Sequence, residues 1–210
     1  TEFGCFGGMT FSFAYQEAKR HKHPATLWAF DSFKGLPKAQ GHKDVHPCWS
    51  EGAMKFSINE FKSICKHNQI PENRYNIVPG FYNETLITKP NQLPSDIALA
   101  YIDCDLYSST KDVLNFLEPR LKHGMIIAFD DYFMYSEKQL SGNRKAMLEC
   151  FKDNKKFQLT QYLQFGTVGQ SFIVEDVSEL IDELNVDIAT DSTPAITIPL
   201  KPIGKKFVIT

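Results

Sequence analysis

Four short stretches of the chain are apolar without alternation: Thr26–Phe30, Tyr75–Val78, Ile97–Ile102 and Met125–Phe129. Strands with this pattern are buried on both faces, as in the middle of a sheet covered by helices. Between them the period becomes helical. Phe11–Lys22 follows a glycine cluster, and Ser57–His67 lies between the first two strands. Ser109–Lys122 carries Val113, Leu114, Leu117 and Leu121 on one face, with Gly124 as a natural stop. Pro119 should distort that helix near its end. Asn143–Asp153 and a shorter Glu179–Leu184 also read as helices.

Strands alternating with helices imply right-handed βαβ units and a mostly parallel sheet with helices on both faces. Gln158–Gln164 and Gln170–Val174, joined through Gly166 and Gly169, read as a closing antiparallel hairpin. The expected fold is therefore α/β and Rossmann-like, with one domain over residues 1–176. Residues 177–210 read as an extension that packs on the domain or at an interface. It holds Pro194, Pro199 and Pro202 and the apolar Ile196, Ile198, Leu200, Phe207, Val208 and Ile209, candidates for a homo-oligomer contact.

Size and charge narrow the function. A chain of 210 residues suits one α/β domain with a single large core. Its formal charge of −2 and lack of a Lys/Arg block favour neither nucleic acid nor an anionic membrane as partner. No apolar run approaches the ~20 residues of a membrane span. Five scattered cysteines, odd in number and without a CxxC pair, read as reduced thiols of a cytoplasmic protein. The chain opens at Thr1 and enters a motif at once, so an N-terminal segment, including most of the first strand, is expected to precede Glu2.

Ligands of open α/β sheets bind outside the carboxyl ends of the strands, so the residues that follow each strand matter most. Glu2-Phe3-Gly4-Cys5-Phe6-Gly7-Gly8 is a glycine-rich turn that lets the backbone approach a ligand, although a dinucleotide site or a plain tight turn has the same composition. Asp31, at the end of the second apolar stretch, is placed to accept hydrogen bonds from ribose hydroxyls or to brace the turn Ser32-Phe33-Lys34-Gly35-Leu36-Pro37. These two signals suit NAD and S-adenosylmethionine equally. A third separates them. Ile102-Asp103-Cys104-Asp105 ends one strand and Phe129-Asp130-Asp131-Tyr132 ends the next. Adjacent strands lie only ~4.8 Å apart, so four carboxylates would crowd one rim and repel one another. A hard divalent cation relieves that repulsion, and an all-oxygen set favours Mg²⁺, or Mn²⁺ in its place. Helix capping by some of these acids, notably Asp105, is the alternative.

In this order, the glycine block, Phe30-Asp31-Ser32-Phe33-Lys34-Gly35-Leu36-Pro37, Ile102-Asp103-Cys104-Asp105-Leu106-Tyr107-Ser108-Ser109-Thr110 and Asp130-Asp131-Tyr132 resemble the macrocin-type O-methyltransferase family. The resemblance runs over about residues 2–175 and includes the Pro119-Arg120-Leu121 turn. It implies a class I methyltransferase sheet of seven strands with S-adenosylmethionine as methyl donor. By position, it implies that Glu2, Gly4 and Gly8 line the methionine end, that Asp31 and Ser32 hold the ribose, and that Gly80, Phe81 and Tyr82 lie near the adenine. It also implies that Asp103 borders the cofactor and binds the metal with Asp130 and Asp131, Asp105 being a further ligand or a group behind it.

The resulting expectation is an S-adenosylmethionine- and Mg²⁺-dependent O-methyltransferase acting on a small-molecule or glycosyl hydroxyl, with Asp103 or Asp105 taking the proton. An NAD-dependent oxidoreductase and a non-catalytic methyltransferase-like module are the alternatives. The polar segment Lys34–Phe56 reads as a lid. Its His42, His46 and Cys48 form a weaker candidate for zinc, lacking a fourth ligand. Tyr132 and Tyr135 are candidates for shaping an acceptor pocket, and His123 reads as a helix-end contact.

Overall fold

A computed structural model describes residues 1–88, 92–135 and 140–178. Residues 1–178 form one compact unit; the helix expected at Glu179–Leu184 and the apolar tail lie outside the described residues. In chain order the elements are β1 (Glu2–Phe3), α1 (Met9–Arg20), β2 (Leu27–Asp31), α2 (Ile58–His67), β3 (Tyr75–Pro79), α3 (Tyr82–Thr88), β4 (Leu99–Ile102), α4 (Tyr107–Leu117), β5 (Ile126–Phe129), α5 (Gly142–Phe151), β6 (Phe157–Phe165) and β7 (Gly169–Asp176).

The seven strands form one sheet in the order β3-β2-β1-β4-β5-β7-β6. All neighbours up to β5 are parallel, whereas β7 pairs antiparallel with both β5 and β6. Alternating residues of each strand face opposite sides. Leu27 and Ala29 of β2 join a core with Phe11, Tyr15, Phe61 and Cys65 of α1 and α2. Phe3 and Phe30 turn to the other side, stacked with ring centroids 4.7 Å apart, and join Val113, Leu114 and Leu117 of α4 and Met147 of α5. The five cysteines are free thiols, and among the described residues no helix is long and apolar enough to cross a membrane.

Local chemistry sets the helix ends. Ser57 and Glu60 form a reciprocal capping box at the start of α2. The expected Ser109–Lys122 helix begins at Tyr107 and ends at Leu117, because Pro119 enforces a 3₁₀ turn over Glu118–Arg120. The short α3 was not anticipated: seven residues behind a glycine carry too little periodicity to register.

Candidate active site

The strand order reverses between β1 and β4, and the loops leaving the carboxyl ends of β1, β2, β3 and β4 converge there. β4 and β5 pair up to Ile102 and Phe129, which delivers Asp103 and Asp130 side by side. Beside them the chain leaves β1 at Gly4, with φ +91°; a Cβ at this position would lie 1.7 Å from the carbonyl oxygen of Asp103. Only glycine permits that crossing. Asp105 is itself left-handed, with φ +58°, a conformation Asp tolerates better than most residues.

One carboxylate oxygen from each of Asp103, Asp105 and Asp131 lies within 4.8 Å of the others. Asp130, beside Asp103 but outside that group of three, accepts a short hydrogen bond from the Tyr101 hydroxyl. Burial, then repulsion from Asp130, Asp131 and Asp105, pushes the Asp103 carboxyl up to about 9. Burial, then the neighbouring carboxylates, raises Asp131 as well, and burial raises Asp105. Oδ2 of Asp131 is buried, and no hydrogen-bond donor among the described residues reaches it. An orphaned buried oxygen facing two other carboxylates needs either a retained proton or a cation. Three convergent carboxylates with no nitrogen or sulfur donor fit a hard divalent cation such as Mg²⁺.

The rim opens into a cleft whose lining includes Gly4, Asp31, Ser32, Gly80, Phe81, Tyr82 and Asp103. Both oxygens of Asp31 are engaged: Oδ2 accepts from the Cys5 amide at 2.8 Å and Oδ1 from the Phe33 amide at 2.7 Å. One carboxylate thus ties the glycine loop to the turn after β2, and each oxygen keeps a lone pair for a ligand. The Ser32 hydroxyl braces the same turn, donating to the Gly35 carbonyl and accepting from the Lys34 amide. Glu2 and Gly8 fall outside this lining. Glu2 is in register with Ala29, so its side chain turns to the α1 side, where Thr10 donates to it at 2.7 Å and burial raises its pKa to about 7. Gly8 sits against α2, where a Cβ would meet Ile64 at 3.1 Å.

The segment between β2 and α2 forms a strap that supplies Leu36, Pro37, Gln40 and Met54 to the cleft wall. Asp44, 3% exposed, anchors it. Its Oδ2 accepts from the Gln40 amide and its Oδ1 from the Ser108 amide, each at 2.8 Å. α4 has no capping side chain of its own, so Asp44 caps it from the strap. The Lys43 carbonyl accepts from the Ser141 hydroxyl at 2.5 Å and the Tyr135 hydroxyl at 3.3 Å. The His46 ring packs at an angle against Trp49 and edge-on to Tyr135, and Cys48 is exposed. Among the described residues the Asp103–Asp105–Asp131 group, not the zinc candidate, brings three metal-binding side chains together. Asp44 escaped sequence reading because a lone acid in a polar loop has no periodicity; Asn143, behind Asp131, looked like any polar residue opening a helix. His123 accepts from the Asp176 amide at 3.2 Å, tying the turn before β5 to the end of β7.

A sheet of this order, with a cleft at its switch point and acids on the rim beyond β4 and β5, is that of the class I methyltransferases. Residues 3–160 match the macrocin-O-methyltransferase (TylF) family, and the chain belongs to it. It is similar to the 8-demethyl-8-(2,3-dimethoxy-alpha-L-rhamnosyl)-tetracenomycin-C 4'-O-methyltransferase of Streptomyces olivaceus, with 28% identity over 50% of this chain and 41% of that protein. The mycinamicin III 3''-O-methyltransferase of Micromonospora griseorubida is likewise 28% identical, over 51% of this chain and 44% of the relative. The chain thus spans less than half the length of these curated relatives. Among solved structures, the O-methyltransferase NovP superposes with a TM-score of 0.67 at 23% identity, covering 82% of this chain and 69% of that one. Calicheamicin methyltransferase CalS11 superposes with a TM-score of 0.64 at 25% identity, covering 82% and 70%.

Proposed function

We propose that residues 1–176 form an S-adenosylmethionine-dependent O-methyltransferase domain acting on a hydroxyl of a glycosylated or other small molecule, with Mg²⁺ or Mn²⁺ held by Asp103, Asp105 and Asp131. The observation that carries this reading is the meeting, in one cleft, of the loop gripped by Asp31 with Asp103 and Asp105, two members of the carboxylate cluster. An oxidoreductase reading leaves that cluster without a role. Relatives named for 4'-O and 3''-O methylation support a glycosyl acceptor. Unpaired cysteines support a reducing, cytoplasmic compartment, and residues 177–210 are taken as an extension of the domain.

In this scheme Asp31 and Ser32 hold the ribose and Phe81 and Tyr82 offer apolar surface to the adenine. The acceptor oxygen attacks the sulfonium methyl carbon, the carbon–sulfur bond breaks, and its electron pair stays on sulfur, giving S-adenosylhomocysteine. Asp103 or Asp105, in its ionised form, takes the hydroxyl proton. A divalent cation held by Asp103, Asp105 and Asp131 would supply Lewis acidity toward the acceptor hydroxyl. The cleft aligns oxygen, carbon and sulfur, and such positioning supplies much of the acceleration.

Calorimetric titration of S-adenosylhomocysteine, with and without Mg²⁺, tests the reading. Saturable binding strengthened by the cation is expected, followed by turnover in an acceptor screen. Absence of any binding to the folded protein would overturn the cofactor assignment, and binding without turnover of any acceptor would favour a non-catalytic module.

A further inference from the structure

The ladder between β4 and β5 closes with the Asp130 amide donating to the Ile102 carbonyl at 3.0 Å. The carboxylates that converge are attached beyond that point. Asp105 and Asp131 lie outside the ladder, and Asp105 occupies a left-handed conformation with φ +58°. Sheet pairing alone therefore does not set their spacing.

A buried polar relay takes over where the ladder stops. Asn143 of α5 is fully buried. Its Oδ1 accepts from the Asp131 amide at 3.2 Å, and its Nδ2 donates to the Thr110 hydroxyl of α4 at 2.6 Å. Thr110, also fully buried, donates to the Leu106 carbonyl at 2.8 Å, and its oxygen lies 3.6 Å from the Cys104 sulfur. Cys104 separates Asp103 from Asp105, and Leu106 follows Asp105. The relay thus joins the backbone bearing Asp131 to the backbone bearing Asp103 and Asp105. Burying a primary amide away from water costs free energy unless its hydrogen bonds are made. Here one bond runs to the turn that carries Asp131, and the other reaches the turn that carries Asp103 and Asp105 through the Thr110 hydroxyl.

We infer that Asn143, acting through Thr110, is a positioning residue that sets the spacing of the Asp103, Asp105 and Asp131 carboxylates for a divalent cation. It touches neither cofactor nor acceptor; its effect passes through the backbone on either side of the cluster. The inference rests on the cation-binding reading of these acids.

The test compares wild type with Asn143→Leu, Thr110→Val and Thr110→Ser. Each protein is titrated with Mn²⁺ and separately with S-adenosylhomocysteine, and its melting temperature is recorded. Outer partners of metal ligands commonly govern affinity by about 10–100-fold, and a Mn²⁺ weakening of that order is expected in Asn143→Leu and Thr110→Val. Affinity for S-adenosylhomocysteine should stay unchanged, because the ribose and adenine walls lie elsewhere. Thr110→Ser, which keeps the hydroxyl, should bind Mn²⁺ as wild type does. If Asn143→Leu does not fold, the nearly isosteric Thr110→Val carries the comparison. Wild-type Mn²⁺ affinity in Thr110→Val, or parallel loss of Mn²⁺ and S-adenosylhomocysteine binding with lowered melting, would overturn the positioning role. Failure of the wild type itself to bind Mn²⁺ would instead overturn the cation reading, and the inference with it.

Discussion

Asp130 and Asp131 are consecutive acids with different surroundings. Asp130 meets the Tyr101 hydroxyl, whereas Asp131 turns toward Asp105 and leaves an oxygen without a donor. Sequence alone places four carboxylates on one rim, because they follow two strands that read clearly as neighbours. The family resemblance puts Asp103, Asp130 and Asp131 on the metal, whereas the three that share space in the structure are Asp103, Asp105 and Asp131; that grouping depends on a tyrosine two residues before Asp103 and on the positive φ of Asp105, neither of which leaves a pattern. Similarly, Asp31 was legible as an acid at a strand end, but its grip on two backbone amides was only one of two readings. At this scale Asp103→Asn should abolish cation-dependent methyl transfer, a loss of at least about a hundredfold if proton acceptance is removed, while S-adenosylhomocysteine binding persists. Initial rates with saturating acceptor, beside calorimetry, check it; full activity in this variant would remove Asp103 from the mechanism.

The same division between pattern and contact appears among the elements. The apolar stretches read as strands fall at β2 to β5 within one or two residues, since burial on both faces marks them strongly. The hairpin was visible through its glycines. β1 is only two residues long and α3 seven, too short for either period to show. The strap was visible as a polar segment, but its attachment was not, because Asp44 acts on a helix far along the chain. That attachment makes a prediction. Asp44→Ala removes the cap of α4 and releases the Gln40 amide, at a cost of about 1 kcal/mol for the cap and a melting temperature lower by roughly 2–4 °C in a chain of this size. Because Leu36, Pro37 and Met54 ride on the strap, S-adenosylhomocysteine affinity should fall as well. An Asp44→Ala protein that melts and binds like wild type would show that the strap is held by its other contacts.

For the molecule as a whole, the buried acids make stability depend on pH in an unusual direction. In an unfolded chain aspartates ionise near pH 4. In the folded protein without a cation, Asp103 holds its proton up to about 9, Asp131 is also raised, and Glu2 reaches about 7. The unfolded chain therefore releases protons that the folded one retains, so stability declines as pH rises from about 4 to about 9. A thermal melt series in chelator should show that decline, and added Mg²⁺ should restore more stability at about pH 8 than at about pH 5. A flat series would mean that the acids are more hydrated than their burial implies. The strap also has a kinetic consequence. Its bonds span 64 residues from Asp44 to Ser108 and 98 from Lys43 to Ser141, and contacts so distant in sequence form slowly. During synthesis the glycine loop and Asp31 emerge long before the residues that fasten the strap over them. The cleft wall is thus among the last surfaces to close, and its amides should exchange with solvent before those of the central sheet.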